Sequence, residues 1–132
     1  MIDFTAIEEE VIGLIMAGLS FTSTCKGYIR EVVPITAMPA LDVDAHSHKS
    51  TEQAHARYTI SVLCAIRSKG VDREENARKF KAFVRQICER LESGYKGVSF
   101  NVIRNIASEV GSGETGEGAM VRTAVIRFDC LV

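Results

Sequence analysis

Two long alternating runs joined by a glycine-rich stretch dominate the C-terminal part of this chain. Residues 98–110 and 120–132 read as strands, and residues 111–118 between them read Gly-Ser-Gly-Glu-Thr-Gly-Glu-Gly. Alternation with a period of two is the mark of a strand with two unlike faces. Two such runs around a flexible connection predict an antiparallel hairpin with long arms. An isolated hairpin is marginal in water, so the rest of the chain must supply more strands and a covering layer. This is more backbone than a pocket enzyme usually commits to one unadorned hairpin. It points to a protein whose product is a surface.

The second arm alternates Met120, Arg122, Ala124, Ile126, Phe128 and Cys130 against Val121, Thr123, Val125, Arg127, Asp129 and Leu131. Both faces are apolar with arginines inserted. That pattern suits helices on one side and a partner chain on the other. Arg122 and Arg127 fall on opposite faces and form no basic stripe; they are expected to pair with acids across strands or across a subunit contact. In the first arm Val98, Phe100 and Val102 alternate, but Ile103 and Ile106 fall out of phase. A bulge near Arg104-Asn105 accounts for the shift.

Upstream, residues 3–18 predict a helix from the spacing of Ile7, Val11, Leu14, Ile15 and Gly18. Thr5 and Glu8 stand at capping-box spacing, and Asp3 is the alternative cap. Glu8, Glu9 and Glu10 are read as first-turn acids favoured by the helix dipole. Gly18 is the expected stop. Residues 20–26 read as a loop. Residues 28–35 read as a strand interrupted by Pro34, hence an edge. Residues 38–44 predict a strand with Leu41 and Val43 on one face and Asp42 and Asp44 on the other. Residues 46–53 read as a polar turn.

Residues 54–67 predict a clear strand, with Ala56, Tyr58, Ile60, Val62, Cys64 and Ile66 sharing the apolar face. A second helix starts at Asp72, with Glu75 at cap-plus-acid spacing. Its stripe is Ala77, Phe80, Val84, Ile87, Cys88 and Leu91, widened by Phe83, and Ser93-Gly94 ends it. Each large residue of that stripe contributes about 1.5–3 kcal/mol when buried. The order helix, three strands, helix, two strands predicts one α+β domain over residues 1–132. It is a two-layer domain, with a mostly antiparallel sheet of four to five strands and two helices packed on one face.

A chain of 132 residues is long enough to bury a core without staples. Its formal charge of −1 gives no general pull toward nucleic acid or anionic membrane. No apolar run approaches the roughly 20 residues a spanning helix needs. The acidic opening predicts no secretory leader and a reducing compartment. The four cysteines, Cys25, Cys64, Cys88 and Cys130, show no Cys-x-x-Cys pair and are read as packing residues.

Candidate chemistry is sparse. His46-x-His48, with His55, Asp42 and Asp44 nearby, could supply metal ligands, but the helical His-x-x-x-His pattern with its acid is absent. The glycine-rich run lacks the lysine and following helix of a phosphate loop and carries Glu114 and Glu117. Ser112 between Gly111 and Gly113 is not a nucleophile elbow, because no strand-to-helix turn surrounds it. No catalytic, cofactor or metal residues are assigned. The segments expected to make contacts on assembly include Ser47, His48, Lys49 and Ser50. They also include Gly111, Ser112, Gly113, Glu114, Thr115, Gly116, Glu117 and Gly118, with Arg122 and Arg127 beside them.

Four features then resemble a known family. They are the N-terminal helix, the segment Met38-Pro39-Ala40-Leu41-Asp42-Val43, the strand of residues 58–67 leading through Gly70-Val71-Asp72 into the second helix, and the ending Gly118-Ala-Met-Val-Arg-Thr-Ala-Val-Ile-Arg-Phe-Asp-Cys-Leu-Val132. In order and spacing they are similar to the tail terminator, or tail-completion, proteins of long-tailed bacteriophages, and the resemblance covers most of the chain. It implies a sheet backed by helices and a six-membered ring of identical subunits on the end of a finished tail tube. That ring stops tube polymerisation and offers a docking surface to the head-side connector or head-completion protein. Genomic DNA passes through its centre without specific binding. The family members are not enzymes and need no cofactor or membrane. The implied location is the virion tail or neck, after assembly in the host cytoplasm. Competing readings are another neck or tail component, such as a head-completion, stopper or tube protein, a small ligand-binding oligomeric domain with Asp42, Asp44, His46 and His48 as pocket candidates, and a metal-dependent hydrolase built on the same residues.

Overall fold

The computed structural model describes residues 2–27, 39–50, 57–70, 73–114 and 120–132. The elements are α1 (Phe4–Met16), β1 (Thr24–Lys26), β2 (Ala40–Ser50), β3 (Tyr58–Gly70), α2 (Glu74–Leu91), β4 (Val102–Glu114) and β5 (Met120–Leu131). They build one five-stranded sheet of order β1-β2-β3-β5-β4. β1 pairs parallel to β2 and every other pairing is antiparallel. Both helices cover the same face, so the α+β two-layer expectation holds. No helix among the described residues is long and apolar enough to cross a membrane.

The layer between helices and sheet follows from the alternation in the strands. Leu41, Val43 and Ala45 of β2 lie level with Ile66, Cys64 and Val62 of β3. Ile60, Cys64 and Ile66 lie level with Cys130, Ile126 and Ala124 of β5. Ile7, Val11 and Ile15 of α1 and Phe80, Val84, Ile87 and Leu91 of α2 close over them. Phe21 meets Phe83 edge-on at 5.4 Å and ties the segment after α1 to α2. On the exposed side of α2, Glu75–Lys79 and Glu89–Arg85 pair at helical spacing, which adds little to stability.

The ends of α1 differ from the capping-box expectation. Asp3, not Thr5, is the cap, and its Oδ1 accepts from the Ala6 amide at 3.0 Å. Glu8, which a capping box would turn back to the cap, is buried and points at the sheet. Gly18 does adopt a left-handed φ of 83° just past the helix. At α2 the cap position is Arg73, with no side-chain cap bond. Asp72, the expected cap, lies outside the described residues.

Several strand boundaries differ from the sequence expectation, and β3 runs on to Gly70 past its expected end at Arg67 because β5 offers partners as far as Met120. Residues 24–26 of the expected loop form β1, held by Leu41 N–H to the Ser23 carbonyl and Gly27 N–H to the Val43 carbonyl. The expected turn from residue 46 is strand as far as Ser50, because β3 offers partners up to Tyr58. β4 starts at Val102 rather than residue 98. Gly97 N–H bonds the Phe100 carbonyl, turning Phe100 inward and leaving Val98 fully exposed. β4 then runs on through Gly111–Glu114, so half of the expected glycine-rich tip is paired strand. The strand expected at residues 28–35 lies outside the described residues.

Candidate assembly surface

The long hairpin is present as β4 and β5, paired from Val102↔Leu131 to Glu114↔Met120. Its register shifts between Arg104 and Ala107, and Asn105 takes a left-handed φ of 57°. The expected bulge is therefore real. Asn105 suits it because asparagine tolerates that backbone region better than most residues. Its Nδ2 also donates to Asp129 Oδ2 at 2.9 Å, locking the bulged strand to its partner.

β5 lies inside the sheet between β3 and β4, and β4 is an outer strand. Every residue from Ala107 to Gly113 of β4 is exposed. An outer strand presents a row of backbone donors and acceptors that another strand can use. Among the described residues, none pairs with that row. Proteins usually blunt such an edge with lysine, proline or a short strand. The bulge does this near Arg104, but the stretch beyond it contains neither lysine nor proline.

The sheet face away from the helices is the second component. Thr59, Ser61 and Leu63 of β3 and Val121, Thr123, Val125 and Asp129 of β5 lie half-buried there, with Arg127 exposed. One part of this face is closed. Asp42 and Arg67 form a buried ion pair at 2.6 Å, with side chains 1% and 10% exposed. Among the described residues Arg67 Nε has no hydrogen-bond partner. The expectation that Asp42 lies on the face opposite Leu41 and Val43 thus holds, and its pair with Arg67 is buried there.

The expected contact residues divide. Ser47, His48, Lys49 and Ser50 are exposed, but on a strand rather than a turn. The bulge between Ala45 and Ser47 sends Lys49 to the open face. It sends His48 to the helix side, near Phe4 at 6.3 Å and Tyr58 at 6.1 Å between ring centres. Gly111, Ser112 and Gly113 are exposed on β4, whereas Thr115–Gly118 lie outside the described residues. Arg127 is exposed on the open face. Arg122 is on the opposite face, only 6% exposed, and reaches the Arg73 carbonyl at 3.5 Å. It anchors α2 to the sheet within the chain instead of facing outward. Arg122 also lines a cleft of about 270 Å³ with Ser68, Lys69, Asn76 and Phe80, at the N-terminal end of α2.

The residues of the competing metal reading do not converge among the described residues. Among the described residues, no three histidine, cysteine, aspartate or glutamate side chains are placed to hold an ion. Asp42 is committed to Arg67, and His55 lies outside the described residues. Burial pushes the Cys64 thiol up, with Cys130 and Cys88 adding to it. Burial, then Asp129 and Glu10, pushes Cys130 up to about 12. Burial raises Cys88 as well. Thiols held protonated in this way pack as small hydrophobes and are poor nucleophiles.

Sequence reasoning missed the roles of the three consecutive acids. Glu8 Oε2 accepts from the Ala45 amide at 2.9 Å, next to the β2 bulge. Glu9 pairs with Lys26 of β1. Glu10 accepts from the Val98 and Ser99 amides at 2.7 and 2.8 Å and from the Tyr95 hydroxyl at 3.2 Å. Each acid tethers α1 to a different segment around the sheet. A signal was present in the triplet, since only part of it can face solvent on a helix packed against a sheet. No family model matches the chain, and no curated protein matches it.

Proposed function

We propose that this chain is a structural virion protein that caps a phage tail tube as a ring of identical subunits. In this reading the ring stops tube polymerisation and provides the docking surface for the head-side connector. The sequence resemblance supports it, and so does the α+β fold with its sheet backed by helices. The observation that carries it is the exposed outer strand β4 next to a half-buried open sheet face. Both are unlike what a self-contained pocket protein needs, and both suit a subunit that completes itself against neighbours. Catalysis has no part in this reading, and the partners are the chain itself, the tube protein and the connector.

The test is a tube-growth assay. Tube protein of the same virion is polymerised with and without this chain, and tube lengths are read by electron microscopy. The reading expects growth to stop, with extra density at one tube end. Unchanged lengths and bare ends would overturn it. Filaments formed by this chain alone would instead favour the competing tube-subunit reading. The cleft at the N-terminal end of α2, lined by Lys69 and Lys79, favours a second reading, a small ligand-binding domain for an anionic group. Titration calorimetry with inorganic phosphate and small carboxylates tests that reading, which predicts saturable binding lost in Lys69→Ala.

A further inference from the structure

The sheet has two outer strands, and their geometry matches. β1 is the short one, Thr24–Lys26, with Thr24 and Lys26 exposed and Cys25 half-buried. β4 is the long one. β2, β3, β5 and β4 alternate direction in that order, so β4 runs opposite to β2, and therefore opposite to β1, which is parallel to β2. Among the described residues, neither outer edge has a partner strand.

The pairings also fix which residues stand level across the sheet. Thr24 is level with Leu41, Ile66, Ala124 and Val110. Cys25 is level with Asp42, Ala65, Val125 and Glu109, and Lys26 with Val43, Cys64, Ile126 and Ser108. A second copy set beside the first, turned about an axis along the strands, would bring its β1 against this β4. The two would run antiparallel and need no sliding. Thr24 would then face Val110, Cys25 would face Glu109 and Lys26 would face Ser108. The matched stretches contain no proline, and their charges, Lys26 on one and Glu109 on the other, do not repel. Pairing two β4 edges about a two-fold axis centred at Glu109 would instead set Glu109 directly against its own copy, where like charges disfavour it.

We propose that the occupant of the β4 edge is β1 of a second copy, in the register Cys25 opposite Glu109. This rests on the ring reading and deepens it. The contact is head-to-tail, so it repeats from subunit to subunit until the rotation closes. Three residues make a short ladder, and closure of the ring lets many such weak contacts hold together.

The register gives a direct test. Directly opposed residues of an antiparallel pair have Cα atoms about 4.5–5.5 Å apart, within the span of a disulfide. Glu109→Cys should therefore crosslink to the native Cys25 of the next copy under mild oxidation, on full-length protein incubated with tail tubes. The expected result is a ladder of covalent multimers on non-reducing gels, abolished when Cys25→Ser is added. A crosslinked dimer that persists in Glu109→Cys with Cys25→Ser would show β4-to-β4 pairing and overturn the proposal. Wild-type protein that forms rings while Glu109→Cys gives no ladder would overturn the edge pairing and leave the ring intact. Circular dichroism of Glu109→Cys guards against loss of fold, and Glu109→Ser in its place should give no ladder.

Discussion

Glu8 illustrates how one side chain can set a boundary in the sheet. Its carboxylate takes the Ala45 amide where β2 bulges, a donor that would otherwise be buried without a partner. Glu8→Ala should cost about 1–3 kcal/mol in urea denaturation, and Glu8→Gln, which keeps an acceptor, clearly less. The buried thiols add a pH dependence. Both are raised above the ordinary 9.0 in the folded chain, Cys130 to about 12. Unfolded thiols ionise near 9, so their contribution to stability is complete below that pH. It is lost as pH climbs from about 9 through the folded values, by up to ~1.4 kcal/mol per pH unit for each thiol. Denaturation midpoints at pH 8 and 10.5 check this. A Cys64→Ala, Cys130→Ala variant should fall less over that interval than the wild type. At this scale the sequence was least legible. Partners of Glu8, Glu9 and Glu10 lie far along the chain, and local spacing offered only the helix dipole and, for Glu8, a capping box as their purpose.

Elements were legible where periodicity was strong and burial one-sided. β3, α2 and β5 follow their apolar patterns closely, because the hydrophobic face alone selects their register. β1 was invisible because Thr24-Cys25-Lys26 has no pattern of its own and becomes a strand only through β2. The polar half of β2 was mistaken for a turn for the same reason. His46–Ser50 looks like a solvated loop until β3 is placed beside it. The β4 bulge, by contrast, could be read from the phase break at Ile103 and Ile106. Asn105→Val should cost about 2 kcal/mol, from left-handed backbone strain and the lost bond to Asp129. Asn105→Gly should cost under about 1 kcal/mol, because glycine takes the same backbone region freely. Urea midpoints of the two variants separate the backbone term from the side-chain term.

For the whole molecule, the sequence located the hairpin as the unusual feature and expected contacts at Ser47–Ser50, along Gly111–Gly118 and at Arg122 and Arg127. The structure adds the β4 edge to these candidates. Gly111–Glu114 is paired strand, Arg122 is spent inside the chain, and β4 is left uncovered along Ala107–Gly113. The capping proposal rests on that uncovered edge and the half-buried open sheet face beside it. The most direct measurement is the mass of the protein free in solution and bound to tail tubes, by native mass spectrometry or mass photometry. The account predicts a defined ring on tube ends, six copies by the family resemblance, formed with or without prior rings in solution. A chain that stays monomeric at all concentrations and leaves tubes unbound would contradict it.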